Sequence, residues 1–414
     1  MSRVIFMNVS AVGHVIPTFG LVTELMKRGE EVIYYEVPHF QQEIESFGAA
    51  FRCYPQLNPQ TAPPSENEMS LVPSLTWCTR EMLPALLESV RAEKPDYIIH
   101  DSLCLWGRLV AQLLNIPAVN SIATAAFTPE SFYECPWLRK KLPRFLKEAA
   151  VGMKHYRQHQ RELRATYGVP PIKFVDTFTN IEPLNICYLP LELQPYSGKF
   201  DERFHFVGPC NPVRAVEYDF PMEKLNSSKL ILISFGNIHD PGLGFYHKCI
   251  EAFANTDAQV VMVLSPAIEV TLLGDIPENF IIRPMGTVPQ LEILERASLF
   301  IMHGAGGGTR EAVWYSVPMI AVPQTYEQEI ISRRIQEQGA GIMMMLEDIT
   351  SEGLRQTAKQ IFDNNSFRVN SGRLGDACRA GGGVKRAVDE ILRYVCEQKS
   401  SQTLESISNG TKKS

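Results

Sequence analysis

No stretch of this 414-residue sequence approaches the roughly 20 apolar residues that a membrane helix needs. Surplus positive charge is also missing. Lysine and arginine total 40 against 46 acidic residues, a formal net charge of -6, which argues against nucleic acid or an anionic membrane as main partner. The nine cysteines include no C-x-x-C pair, so neither a disulfide framework nor a zinc site is expected, and the thiols are read as reduced. There is no metal-ligand spacing and no nucleophile elbow. No G-x-G-x-x-G follows the first strand-like run, which disfavours a nicotinamide oxidoreductase. Met1-Ser-Arg leads directly into Val4-Ile-Phe-Met, too short for a signal-peptide core, and a cytoplasmic protein is expected.

What is present is an ordinary globular balance, 45% hydrophobic and 21% charged, in a chain too long for one core. Arg3–Ser10 and Glu31–Val37 read as strands, with Leu21, Val22, Leu25 and Met26 at helical spacing between them and Gly29 as the stop. Strand–helix–strand within 37 residues is a βαβ unit. The pattern recurs at 95–121, and the stretch 128–182 reads as less regular, with helices over 145–151 and 155–167. A second βαβ series starts at Lys229, with strands over 229–236, 259–264, 280–283, 299–302 and 318–322, and helices dominate from about 327. Gly208-Pro-Cys-Asn-Pro212 and the polar residues after it mark a boundary. The expected organisation is an α/β protein with two doubly wound domains facing a cleft, residues 1–208 and 227–397. A linker over 209–226 and a disordered tail over 398–414 complete it. Ligands of such sheets bind at the carboxyl ends of strands where strand order reverses.

Met302-His-Gly-Ala-Gly-Gly-Gly-Thr-Arg-Glu311 links a strand to a helix. Glycines permit close backbone approach, and amides at a helix start suit phosphate. No G-K-[ST] follows, so this is not a Walker loop, and the third glycine of a dinucleotide fingerprint is Thr309. Taken alone, the loop fits a turn with nothing bound equally well. His14, read alone, is a capping or core histidine, Asp101 a helix cap, and Glu327-Gln328 a solvated helix start. Trp77, Trp106, Phe127, Phe132, Tyr133 and Trp137 are read as core or as walls of an acceptor pocket. Gly381-Gly-Gly383 before the helical pattern Val384–Val395 reads as a helix–helix turn.

The segment from Val288-Pro-Gln through Glu311 to Pro318-Met-Ile-Ala-Val-Pro-Gln-Thr-Tyr-Glu-Gln328 resembles the donor-binding signature of GT-B nucleotide-sugar glycosyltransferases, within them the bacterial macrolide subgroup. Gly13-His14 with Pro17, Asp101, Phe206-Val-Gly-Pro209 and Ser234-Phe-Gly236 extend the resemblance over about residues 3–395. It implies that His303 binds the donor diphosphate together with the loop Gly304, Gly306, Gly307, Gly308 and Thr309. It implies further that Glu311 holds the ribose and that Glu327 and Gln328 grip the sugar, with Asn237, Thr287, Val288 and Gln290 completing the donor site. His14 is then the general base and Asp101 its charge partner. Two Rossmann-like domains, inversion at the anomeric carbon and no metal or other cofactor follow from the same resemblance. The expected partners are a nucleotide sugar and a small hydroxylated acceptor, with no nucleic acid or membrane, in a monomer or weak homodimer.

The sequence departs from that pattern at four positions. Thr287 replaces an aromatic residue, Gly307 and Gly308 replace asparagine and serine, and Asn237 replaces a hydroxyl residue. A serine hydroxyl restored at Gly308 is expected to tighten donor binding. The alternative function is a non-catalytic auxiliary or ligand-binding protein of the same fold.

Overall fold

The computed structural model describes residues 2–63, 70–134, 136–210, 218–236 and 240–411. The first of two sheets holds β1 (Arg3–Met7), β2 (Glu31–Glu36), β3 (Ala50–Cys53), β4 (Tyr97–Asp101), β5 (Ala118–Ile122), β6 (Asn185–Cys187) and β7 (Phe204–Phe206). The second holds β8 (Leu230–Ser234), β9 (Gln259–Leu264), β10 (Phe280–Pro284), β11 (Leu299–Met302), β12 (Met319–Ala321) and β13 (Gly341–Met343). Their orders are β3-β2-β1-β4-β5-β6-β7 and β10-β9-β8-β11-β12-β13, with every pairing parallel. Strand order reverses at β1–β4 in one sheet and at β8–β11 in the other, the two doubly wound halves expected from the sequence.

Parallel strands need cover on both faces, which explains their continuous apolar runs. Val4, Ile5, Phe6 and Met7 of β1 are all fully buried. The anticipated helix after β1 spans Phe19–Lys27 and buries Leu21, Val22 and Leu25. Gly29 follows it at φ 90°, a conformation open to glycine.

Two long helices add to the expected pattern, the first unanticipated and the second longer than expected. Leu71–Glu93 is a single 23-residue helix whose buried positions recur at helical spacing, although Pro84 stands inside it. Pro136–Tyr167 runs unbroken where two shorter helices were expected.

The chain divides into two compact units. One comprises residues 1–188, 196–212 and 382–414, the other 189–195 and 213–381. Of the expected linker over 209–226, residues 211–217 lie outside the described ones. The terminal helix Gly383–Thr411 differs most from the sequence-based boundaries, because it groups with the first unit. Ala387, Val388, Ile391 and Val395 form a stripe at helical spacing, buried in one cluster with Leu21, Val22 and Leu25. Burying one such isoleucine or valine contributes about 1.5–3 kcal/mol, so the stripe outweighs chain proximity to the second sheet. Residues 398–411, expected to be disordered, continue this helix, and 412–414 lie outside the described residues. Among the described residues no helix is long and apolar enough to cross a membrane.

Candidate active site

At the switch point of the first sheet, the chain leaves β1 through Asn8–Ala11 and enters the short helix Val12–Val15, which carries His14. Asp101 ends the neighbouring strand β4. Nδ1 of His14 lies 2.8 Å from Oδ2 of Asp101, and the side chains are 12% and 0% exposed. The other carboxylate oxygen accepts the Leu103 amide at 2.8 Å. A carboxylate can only accept, so Nδ1 carries the proton and the imidazole lone pair resides on Nε2. Sequence reasoning named both residues, and the structure brings them together.

Three supporting residues were not anticipated. Asn8 is fully buried and donates from Nδ2 to the His14 carbonyl and to the Tyr34 hydroxyl, both at 3.0 Å. Tyr34 also shares a 2.8 Å hydrogen bond with Thr18. Glu36, at the end of β2, has no exposed surface. Its Oε1 accepts the Ser10 hydroxyl and the Val37 amide, while Oε2 is buried without a hydrogen-bond partner. Burial pushes the Glu36 carboxyl up to about 7; the two hydrogen bonds pull it down, and the nearby Asp101 charge pushes it up. A glutamate closing an otherwise apolar strand was the available signal.

At the switch point of the second sheet, His303 follows β11 and Gly236 follows β8. Gly236 has φ 72°, and a Cβ there would lie 3.0 Å from Cε1 and 3.1 Å from Nε2 of His303. The glycine therefore makes room for the imidazole. Gly304 has φ 78°, and a Cβ on it would run into the Ser332 hydroxyl. The helix Gly306–Trp314 starts after Ala305, which supplies no side-chain cap. The first-turn amides of Gly306, Gly307 and Gly308 are thus set for an anion. Thr309 turns its hydroxyl back to the Ala305 carbonyl at 2.8 Å and is buried.

Two residues on, Glu311 accepts a 2.6 Å hydrogen bond from Nε2 of Gln290, which joins two of the anticipated donor residues. Val288 is buried. Thr287 is exposed and donates to the Pro284 carbonyl at 2.7 Å, so its hydroxyl closes its own turn. Glu327 lies half-buried in the first turn of the helix Tyr326–Glu337. Gln328 is buried, and its Oε1 accepts the Gln324 amide at 2.8 Å, which ties the preceding loop to the helix. Asn237 lies outside the described residues.

Gly308 requires a correction. Its φ is not positive, and its Cβ direction meets Met302 Sδ at 3.1 Å and Phe300 Cε1 at 3.4 Å. A serine there would press on the Met302 and Phe300 side chains of β11, a cost that opposes the expected phosphate contact from its hydroxyl. At Gly307 a Cβ would meet nothing within 4 Å. Of the aromatic candidates, Trp77 and Trp106 are buried and Phe127 is half-buried, while the side chains of Phe132, Tyr133 and Trp137 lie outside the described ones. Among the described residues, no group of three or more His, Cys, Asp or Glu is arranged to hold a metal ion.

The architecture matches that of the glycosyltransferase of kitacinnamycin, with a TM-score of 0.83 and 27% identity, covering 95% of this chain and 99% of that one. Two doubly wound parallel sheets with these switch points are the GT-B architecture of that glycosyltransferase. An NDP-glycosyltransferase of Bacillus licheniformis is 34% identical over 400 residues, covering 94% of this chain and 96% of its own. The oleandomycin glycosyltransferase of Streptomyces antibioticus is 28% identical over 400 residues, covering 94% and 90%. Residues 247–386 match the family described as erythromycin biosynthesis protein CIII-like, C-terminal domain. The chain belongs to the nucleotide-sugar glycosyltransferases, in the group that includes the macrolide glycosyltransferases.

Proposed function

We propose that the protein is an inverting glycosyltransferase. It moves a hexose from UDP-glucose or a similar nucleotide sugar to a hydroxyl of a small lipophilic natural product, such as a macrolide or a polyphenol. The observation that carries this reading is the 2.8 Å His14–Asp101 pair at the β1–β4 switch point.

In this reading Nε2 of His14 takes the proton of the acceptor hydroxyl as its oxygen attacks the anomeric carbon. The new carbon–oxygen bond forms as the bond from that carbon to the diphosphate oxygen breaks. A single displacement inverts the anomeric configuration. Asp101 holds the imidazole in the required tautomer and balances the imidazolium charge. Its burial strengthens that interaction, since water does not screen it.

The second unit holds the donor. His303 and the amides of Gly306, Gly307 and Gly308 meet the departing diphosphate charge, with the helix dipole behind them. The scheme requires no metal, because these groups neutralise the leaving group. Glu311, steadied by Gln290, accepts from the ribose hydroxyls. Glu327 accepts from sugar hydroxyls, and Gln328 donates to them from its amide nitrogen, its oxygen being engaged with Gln324.

The test is a panel of nucleotide sugars incubated with hydroxylated aromatic and macrolide acceptors and read by mass spectrometry. A product heavier by one sugar supports the reading, and its anomeric proton coupling reports the stereochemistry. Loss of product in His14→Ala, with nucleotide binding retained, assigns the base. No product from any donor–acceptor pair would leave only the non-catalytic alternative.

A further inference from the structure

Glu36 and Asp101 occupy equivalent places on the two strands that flank β1. Met7 pairs with Tyr35 on one side and with His100 on the other, so the next residues on all three strands are Asn8, Glu36 and Asp101. Two residues back, Tyr34 and Ile99 share one core cluster, so both carboxyls lie on the same face of the sheet, at its carboxyl edge.

Each carboxyl is fully buried, and each holds a side chain from the segment that follows β1, Ser10 on the connection and His14 on the short helix. Asp101 holds His14, and Glu36 holds the exposed Ser10, four residues earlier. The arrangement is one device used twice: a hidden carboxyl behind a group that reaches the surface. The His14–Asp101 half is absorbed by the proton transfer proposed above. The Ser10–Glu36 half is not.

We propose that Ser10, oriented by Glu36, is a second contact for the acceptor substrate beside His14, selecting acceptors that carry a further hydroxyl near the one glycosylated. This rests on the glycosyltransferase reading. When Glu36 is ionised, the Ser10 hydrogen points inward to it, and the serine lone pairs face outward to accept a hydroxyl from the substrate. When Glu36 is protonated on Oε2, Oε1 becomes a neutral and weaker acceptor, and the serine hydrogen is released to turn outward and suit a carbonyl or ether oxygen. Glu36 is thus a positioning residue acting through Ser10.

Its surroundings make the change of state accessible near neutrality. The groups that face Glu36 are Asp101 on β4, with His14 beyond it, Cys104 after β4, Tyr34 on its own strand and Tyr54 after β3. None of them is a cation paired directly with Glu36. Oε2, buried without a partner, is where the proton would reside.

The experiment compares the full-length protein with Ser10→Ala and Glu36→Gln. The acceptors are a vicinal diphenol and its monomethyl ether, assayed from about pH 6 to about pH 8, the range in which a group shifted to near neutrality changes charge. In the parent protein, preference for the diphenol should grow as pH rises. In both variants that pH dependence should flatten, and the diphenol KM should rise about 3–10-fold, the worth of one neutral hydrogen bond. Donor KM should stay unchanged. Ser10→Ala alters an exposed side chain and serves as the arm least exposed to misfolding; thermal unfolding checks both variants. Transfer by the parent with unchanged diphenol KM in Ser10→Ala overturns this inference and leaves the glycosyltransferase reading standing. An effect in Glu36→Gln alone also overturns it, since Glu36 would then act without Ser10. No transfer by the parent to any acceptor overturns both.

Discussion

Nδ1 of His14 and Oδ2 of Asp101 stand 2.8 Å apart, and the carboxylate has no exposed surface of its own. The pair is local to one unit, since β1 and β4 are neighbours in one sheet and Asn8 ties the His14 carbonyl to the strand end.

His14→Ala should therefore lower kcat by about 10²–10⁴-fold, the usual cost of losing a general base. Nucleotide affinity measured by calorimetry should stay constant, because the residues proposed to hold the donor belong to the other unit.

Asp101→Asn should also slow turnover, with a different signature. Its amide can donate to Nδ1, which moves the imidazole proton to Nε2, where the lone pair is needed. The imidazolium also loses its counter-charge, so the acid limb of the pH–rate profile should move to lower pH. A rate loss with an unmoved acid limb would show that Asp101 does not balance His14.

Gly304→Ala should be among the most damaging single-methyl additions in the second unit. The residue sits at φ 78°, and the added carbon would meet the buried Ser332 hydroxyl and, at 3.1 Å, the Gln328 carbonyl. Backbone strain of about 1–3 kcal/mol adds to overpacking of similar size. Thermal unfolding should show the loss.

Gly307 and Gly308 should respond oppositely to serine. Gly307→Ser places its side chain in open space on the first turn of the helix, where a hydroxyl can donate to phosphate. Nucleotide-sugar affinity should rise by up to about tenfold. Gly308→Ser pushes against Met302 and Phe300 and should cost about 1–3 kcal/mol in stability with no gain in affinity. Calorimetric titration and urea unfolding of both variants separate the two effects.

Glu36 makes stability depend on pH with a definite sign. Its carboxyl is raised from 4.5 to about 7, so between those values the folded chain keeps a proton that the unfolded chain releases. The folded state therefore binds more protons, and this contribution to stability is full below about pH 4.5 and lost as pH rises through about 7. Glu36→Gln removes the titration. The difference in unfolding free energy, variant minus parent, should become more favourable to the variant by a few kcal/mol between about pH 5 and about pH 8. A difference that does not change across that range would contradict the burial of an ionisable Glu36.

Much of the fold was legible because parallel strands advertise themselves as short apolar runs between helical periods. β1, β2, β4, β8, β9, β10 and β11 all fall where such runs stand. His14 and Asp101 were legible as ends of two such runs, and the glycine segment as a link between strand and helix. Glu36, Asn8 and Ser10 were not, because their roles arise from which strands become neighbours, and β4 joins β2 at the flanks of β1 only through a long-range pairing, Val4 with Tyr97. Direction explains the rest. Gly307 and Gly308 are alike in sequence, yet one Cβ vector points to open space and the other to β11. The terminal helix was misassigned for a related reason: its apolar stripe is plain in the sequence, but nothing local says which sheet it covers.

The return of the terminal helix also orders events during synthesis. Ala387, Val388, Ile391 and Val395 belong to the same core as Val4 and Phe6, nearly four hundred residues earlier. At a ribosomal rate of about 5–20 residues per second, the first sheet waits tens of seconds for its last covering helix. Throughout that interval the faces of Leu21, Val22 and Leu25 that this helix shields are open to other nascent chains and to chaperones. The second unit, whose segments all lie before residue 382, can be complete first. The half of the chain translated earliest is thus the half finished last.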